Sequence, residues 1–435
     1  MIEDIKIIGG GLAGSEAALV LSKSGLDVTL YEMRPIVQTG AHRTSDFAEL
    51  VCSNSLKSTD PFTASGLLKE ELKILGSRLI AVAEKCRVPA GTALAVDRAL
   101  FSKSITEEIN SSRIHVERKE YIKLTEEDFS RTLVLICTGP LTSERLLFSL
   151  RDKLDTQEFF FFDAIAPIIE SESLDRDLTF TADRYGDEEG HYINIPLDKD
   201  TYDIFYEELL KAEKIPVRDF ERKYLFDRCQ PFEEIAHNGY DALRYGPMKP
   251  VGLTDPLTGN VPYAVIQLRQ ENVAKNLYNL VGFQTRLKWD EQRRLLRLIP
   301  ALRHVEIVRY GVMHKNVFMN SPSLLDTFFQ SRKQKNLFFS GQITGIEGYV
   351  ESIASGFVIA KNILRTLEGK PPLPCPHETM IGSLFNYVLH SEPLRPMYAN
   401  YGILPPIRVK KNQMRQEKTR RAIEKMADFA NRFFE

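Results

Sequence analysis

The sequence predicts an α/β protein whose parallel sheet is interrupted by a separate α+β unit. Three observations lead there. A short apolar strand with Ile5, Ile7 and Ile8 runs into the turn Gly9-Gly10-Gly11-Leu12-Ala13-Gly14 and then into an Ala- and Leu-rich helix. TLVLIC, 132–137, is continuously apolar, as in a parallel strand buried on both faces. From about residue 156 the texture changes to aromatic, charged strands and helices, and NLFFSG, 336–341, is again a strand running into a turn. The expected division is a discontinuous domain of 1–155 and 306–375, an insertion domain of 156–305, and a basic C-terminal tail of 376–435.

In chain order, the helix after the glycine turn covers Leu12 to Ser24, with Gly25 as its stop. LDVTLYE, 26–32, is a β-branched strand ending in Glu32. Residues 65–86 repeat Leu and Ile at helical spacing and predict one amphipathic helix. IHVERKEYIKL, 114–124, is strand-like. In the insertion, FFFFDAIAPIIE and HYINIPL read as strands and TYDIFYEELLKAE as a helix. After the strand at 336–339 comes a helix with Tyr349, Ile353 and Phe357 one turn apart, and Pro- and Gly-rich segments at 369–376 and 402–406 break the tail.

Composition narrows the function classes. With 435 residues, 43% hydrophobic and 27% charged, the chain suits two or three globular domains. No apolar run approaches the roughly 18 residues of a membrane span, and the N-terminus reads as a strand with no basic leader. Five cysteines, scattered and without metal-ligand spacing, argue for a reducing cytosol and against a disulfide framework or a zinc site, so no metal is expected. A net charge of −2 requires any nucleic acid to be held by a local patch.

Gly9, Gly11 and Gly14 fit GxGxxG between strand and helix. The first permits the tight turn, the second lets a pyrophosphate approach the backbone, and the third lets helix pack on strand. The helix N-terminus then faces phosphate with unpaired N–H groups. Glu32 ends the next strand 23 residues after Gly9, close to the ~20 expected of an acid that binds a ribose hydroxyl. A glycine turn used only for packing leaves Glu32 unexplained, so a dinucleotide site is expected at Gly9, Gly10, Gly11, Leu12, Ala13, Gly14 and Glu32. SGQITGIEGYVESIASG, 340–356, resembles the C-terminal FAD motif of two-dinucleotide-fold flavoproteins, and TGP at 138–140 resembles their second glycine contact. FAD is therefore expected, with Gly139, Gly341 and Gln342 as further contacts and Tyr349 as a candidate ring over the flavin.

Among the cysteines, Cys86 and Cys137 lie in apolar patterns and read as core, and Cys375 sits between prolines. Cys229, in LFDRCQPFEEIAHNG, precedes Pro231, Glu233 and Glu234, which predict a helix from about residue 230. A helix N-terminus and the adjacent Arg228 favour a thiolate, which is a good carbon nucleophile. Cys52, in FAELVCSNSLKS, lies in a polar loop of the kind that gathers at the carboxyl ends of parallel strands, where ligands bind.

The motifs IIGGGLAGSEAA, VTLYEMRP, FAELVCSNSLKS, VPAGTALAVDR, LRYGPMKPVGLTDP, YNLVGFQTRLKW, RYGVMHKN and SGQITGIEGYVES together resemble the bacterial folate- and FAD-dependent tRNA (uracil-5-)-methyltransferases, over about residues 2–406. The resemblance implies a Rossmann-like FAD-binding domain interrupted by an insertion domain. It also implies methylation of uridine 54 in the T loop of tRNA. The one-carbon unit comes from 5,10-methylenetetrahydrofolate by way of flavin N5, and NAD(P)H supplies electrons. By motif, Cys229 attacks carbon 6 of the uracil, and Cys52, beside the flavin, is the base that takes the carbon 5 proton. Two sulfurs in different settings suit these two roles, because a nucleophile and a proton acceptor need different tuning. The chain departs from the family at Ile195, where a cysteine is common.

Two relatives of this reading stay open at this point: the same chemistry on a 23S ribosomal uridine, and a GidA-type flavoprotein that modifies wobble uridines. RYGPMKP at 244–250, Arg286, Lys288, Trp289 and Arg293, Arg294 and Arg297 are candidates for a groove that holds tRNA or the folate tail. Residues 408–421 carry seven Lys or Arg against one Glu, a run suited either to phosphate contact or to a solvated helix.

Overall fold

A computed structural model describes residues 2–435 apart from 156–158, 165, 185–189, 216–229, 272–274, 312, 393, 395 and 411–412, with backbone alone at 159–164 and 313–316. The first sheet has five parallel strands in the spatial order Leu337–Phe339, Thr132–Ile136, Asp4–Ile8, Asp27–Tyr31, Ile114–Glu117. Every residue of Thr132–Ile136 is buried, which is why that strand has no polar alternation. The register aligns Ile8 with Tyr31 and Ile136, and Ile136 with Phe339. Gly9, Glu32, Cys137 and Ser340, the next residue of each strand, therefore leave the sheet together at its carboxyl edge. That edge is where open α/β sheets bind ligands.

Helices Leu12–Leu21 and Tyr349–Leu367 pack against each other over the sheet. Their backbones come so close at Gly356 that a Cβ there would lie 2.3 Å from the Ala13 carbonyl oxygen. The helix expected over 65–86 is two helices, Ala64–Leu75 and Arg78–Lys85. Gly76 breaks it with φ +76° and a left-handed C-cap, and the Ser77 hydroxyl accepts the Ile80 N–H of the new helix. Glu16, fully buried on the first helix, adds a second cap by accepting the Arg78 and Leu79 N–H groups at 2.9 and 2.8 Å. The strand expected at 114–124 is ordered as a strand only over Ile114–Glu117.

The middle of the chain builds a six-stranded antiparallel sheet in the order Phe180–Thr181, Ile193–Leu197, Ala264–Gln270, Leu277–Leu280, Ile168–Glu170, Ile307–Arg309. Its own apolar cluster runs from Ala166 to Val305 and includes Ile195, a core side chain 1% exposed. The two passages of chain at its ends pair as an antiparallel ribbon, Phe159–Ala164 with Met313–Phe318. The segment expected as a basic tail carries helices Met380–His390 and Met414–Phe434, whose buried Met426, Phe429 and Phe433 join the first core. Each such side chain contributes about 1.5–3 kcal/mol. The basic run is partly spent on this docking. Lys418 donates to the Tyr401 and Leu404 carbonyls, Arg421 to those of Pro405 and Pro406, and Arg420 pairs with Glu417 and Glu424. No described helix is long and apolar enough to cross a membrane.

Candidate dinucleotide and thiol site

At the carboxyl edge of the parallel sheet lies a cleft of about 1020 Å³, partly open to solvent. Gly9, Gly10, Gly11, Leu12, Ala13, Glu32, Gly139, Gly341, Gln342 and Tyr349 all line it. Each glycine there has its own physical reason. Gly9 has φ +106° and no room for a Cβ, which would sit 2.6 Å from the Cys137 carbonyl oxygen. Gly10 lies against the Phe47 ring, 2.4 Å from where its Cβ would be. Gly11 has ordinary extended geometry and nothing within 4 Å of a Cβ, so its bare face opens onto the cleft. Gly14 lies behind the cleft, where a Cβ would be 1.9 Å from the Gly9 carbonyl oxygen.

Helices Leu12–Leu21 and Tyr349–Leu367 both start on this cleft, and no side chain caps either of them. Two uncapped N-termini aimed at one cavity suit a bridged diphosphate. Glu32 is 6% exposed; its Oε2 accepts the Gly10 N–H at 3.0 Å and its Oε1 accepts Arg34 N and Nε at 3.0 and 2.9 Å. Burial works against its ionisation, but the hydrogen bonds and charge of Arg34 outweigh that and hold the carboxyl below its ordinary range. An ionised acceptor at the end of the second strand suits a ribose hydroxyl. Bare glycine faces, two helix starts and this carboxylate together fit FAD.

Cys52 adjoins the cleft. Its neighbour Val51 lines the wall, and the Tyr349 hydroxyl, on the same wall, accepts the N–H groups of Cys52 at 2.6 Å and Ser53 at 3.1 Å. Burial first, then the Cys52 charge, pushes the Tyr349 phenol up, so it stays neutral at physiological pH. Cys86, Cys137 and Cys375 are buried, and burial raises all three thiols. Cys229 and Arg228 lie outside the described residues. The helix after them runs Phe232–His237, with Pro231 at its N-cap and not inside its first turn. Glu233 turns inward to accept Thr285 Oγ1 and Arg286 N, both at 2.8 Å, and Glu234 pairs with Arg286.

Sequence reasoning missed the groups that hold the Cys52 loop. Arg98 donates to the Leu50 carbonyl at 2.7 Å, and Arg309 to those of Val51 and Ala41 at 2.6 and 2.8 Å. Arg269 donates to Ser53 Oγ at 2.7 Å and to Asn54 Oδ1 at 3.0 Å. The available signal was an arginine inside AVIQLRQ, a strand whose every residue, Arg269 included, is buried. Of the basic patches, Arg286, Lys288 and Arg294 pair with Glu234, Glu213, and Glu208 and Glu291. Trp289, 57% exposed, stacks on Tyr310, which also accepts Arg293. No group of three metal-ligating side chains occurs among the described residues.

Residues 4–371 match the family model described as Glucose inhibited division protein A. A Thermotoga maritima protein named methylenetetrahydrofolate–tRNA-(uracil-5-)-methyltransferase TrmFO is 53% identical over 431 residues, 98% of each chain. Its Bacillus licheniformis namesake is 48% identical over 430 residues, again 98% of each. Among solved structures, Aquifex aeolicus GidA matches with a TM-score of 0.73 at 15% identity, over 99% of this chain and 73% of that one, a likeness of fold alone.

Proposed function

The chain belongs to the Glucose inhibited division protein A family and, within it, to the TrmFO methyltransferases, and from that premise we propose the following division of labour among its residues. It is a methylenetetrahydrofolate–tRNA-(uracil-5-)-methyltransferase and a flavoprotein. FAD, when bound, relays the one-carbon unit from 5,10-methylenetetrahydrofolate and carries the reducing equivalents. NAD(P)H is the electron source, uridine 54 in the T arm of tRNA the target, and the cytoplasm the place of action.

Gly9 to Ala13 and Gly341 to Gln342 receive the diphosphate, and Glu32 a ribose hydroxyl. Cys229, as a thiolate, adds to carbon 6 of the uracil and leaves an enolate, which makes carbon 5 nucleophilic. Once carbon 5 has taken the one-carbon unit, Cys52 removes its proton, hydride completes the methyl, and Cys229 leaves carbon 6 as thiolate so that the ring double bond is restored. The target base has to leave the RNA stack to reach these groups. The exposed Trp289 ring, stacked on Tyr310, offers a neighbouring base a platform worth about 1–3 kcal/mol. The observation that carries this reading is the hydrogen bond between the Cys52 N–H and the Tyr349 hydroxyl, which ties the thiol loop to the wall of the dinucleotide cleft.

The test is to incubate the purified protein with unmodified tRNA transcript, labelled methylenetetrahydrofolate and NADPH. Label in 5-methyluridine of tRNA, none from S-adenosylmethionine, and complete loss in Cys229→Ala are expected. Activity that persists in that variant removes the nucleophile assignment, and label appearing only with 23S rRNA as substrate replaces the target.

A further inference from the structure

Arg98 stands at the first position of helix Arg98–Asn110, Arg269 in strand Ala264–Gln270 and Arg309 at the end of strand Ile307–Arg309. Two of the three belong to the antiparallel sheet, yet all three donate to residues 50–54 of the loop that carries Cys52. Arg269 and Arg309 are each 9% exposed. Asn54, fully buried, completes the joint: its Nδ2 donates to the Val96, Gln270 and Glu271 carbonyls at 3.0, 2.9 and 3.1 Å. The joint therefore ties the Cys52 loop to the antiparallel sheet and to the start of helix Arg98–Asn110.

We propose that Arg269 and Arg309 are positioning residues for the methyl-transfer reaction, holding the Cys52 loop against the cleft and stabilising the sulfur of Cys52 in its anionic form. Three buried guanidiniums are a costly arrangement unless anionic charge meets them. Glu271 faces Arg98 at 2.5 Å and supplies one carboxylate, and Glu49 is engaged with Arg34. The Tyr349 and Tyr192 phenols, both raised chiefly by burial, are neutral at physiological pH, and Arg43 adds further positive charge beside Arg309. Burial first, then the charge of Arg98, lowers Arg309 to about 10, and a negative Cys52 works in the opposite direction on both Arg309 and Arg269. The interaction is reciprocal, so the same two cations favour thiolate at Cys52. A base that takes a proton from carbon must be unprotonated when the substrate is ready, which is what this surrounding provides. Shape matters as well as charge, because Arg309 Nη2 holds both the Ala41 and the Val51 carbonyls through two N–H bonds fixed in the guanidinium plane.

This inference rests on the assignment of Cys52 as the proton acceptor, and the experiment separates the two. The flavin-loaded enzyme and its Arg269→Gln, Arg309→Gln and Arg309→Lys variants are treated with iodoacetamide from pH 6 to 10. Carbamidomethylation of the Cys52 peptide is followed by mass spectrometry, with flavin absorbance as the check on folding. In the unaltered enzyme the pH midpoint lies below the ~8.5 of a free cysteine. Each Gln variant raises it by about one pH unit, a tenfold slower reaction at pH 7. Arg309→Lys leaves the midpoint within a few tenths of a unit but lowers kcat, since an ammonium keeps the charge and loses one carbonyl. Unchanged midpoints in both Gln variants, or an unaltered enzyme that titrates like free cysteine, overturn the proposal. If Arg309→Gln fails to hold flavin, Arg269→Gln decides. Full turnover by Cys52→Ala removes the proton-acceptor assignment, while the alkylation midpoints still report on the arginines.

Discussion

Gly11→Val separates what a ligand needs from what the protein needs. Gly11 has φ −74° and ψ −167°, a conformation open to any residue, and no protein atom lies within 4 Å of where a Cβ would sit. Valine there costs the apoprotein no more than an ordinary surface change, about 0.5 kcal/mol. The bare face nevertheless opens onto the cleft at the uncapped start of helix Leu12–Leu21, where a diphosphate has to approach the backbone. A branched side chain keeps it away and forfeits one or two hydrogen bonds to a charged oxygen, each about 1.5–3 kcal/mol. That amounts to a loss of FAD affinity of about 10- to 10⁴-fold. Gly14→Ala is the contrast: its Cβ would be 1.9 Å from the Gly9 carbonyl oxygen, so the helix must move and the apoprotein itself loses stability. The assay is thermal unfolding of both apoproteins beside flavin titration by fluorescence quenching. A Gly11→Val protein that binds FAD as tightly as the unaltered chain, or one whose apo form is as destabilised as Gly14→Ala, refutes the reasoning.

Tyr349→Phe removes the acceptor of the Cys52 and Ser53 N–H groups while keeping the ring on the cleft wall, so flavin is retained and turnover falls up to about 100-fold, for about 1–3 kcal/mol of lost order. Unchanged turnover detaches Tyr349 from the thiol loop. Glu16 and Glu71 are buried acids raised by desolvation to about 7 and about 8, each accepting two helix N–H groups. Their folded pKa values exceed the unfolded ones, so the folded state keeps protons that the unfolded state has already lost. Stability therefore declines from pH 5 towards pH 8, by up to about 1.4 kcal/mol per pH unit for each group. Urea midpoints across this range should fall in the unaltered enzyme and flatten in Glu16→Gln with Glu71→Gln; a flat profile in the unaltered enzyme contradicts the assignment.

The dinucleotide half of the candidate site could be read locally, because strand, glycine turn, helix and Glu32 are consecutive; Gly9, Gly10 and Gly14 each answer to a close contact and Gly11 faces the cleft. The return of the chain at 336–341 was equally legible, since its strand adds to the same sheet beside Thr132–Ile136. The break at Gly76 was missed because apolar spacing continues across it, and only the Gly-Ser pair marks the cap. The C-terminal helix was read by its charge, whereas Met426, Phe429 and Phe433 dock it and Lys418 and Arg421 serve carbonyls. The arginines around Cys52 come from positions 98, 269 and 309, and their convergence depends on a tertiary arrangement that no local pattern encodes. Tyr349 was singled out for its ring, yet its hydroxyl is what reaches the thiol loop.

Two sulfurs hold separate tasks in the proposed reaction, and tRNA transcript carrying 5-fluorouridine tests that directly. Fluorine at carbon 5 cannot leave as a proton does, so the reaction should stop with the base still bonded to its nucleophile. Digestion and mass spectrometry of the complex are then expected to place the adduct on the peptide bearing Cys229, with Cys52 unmodified. An adduct on Cys52, or a full reaction cycle with no protein–RNA bond at any stage, contradicts it.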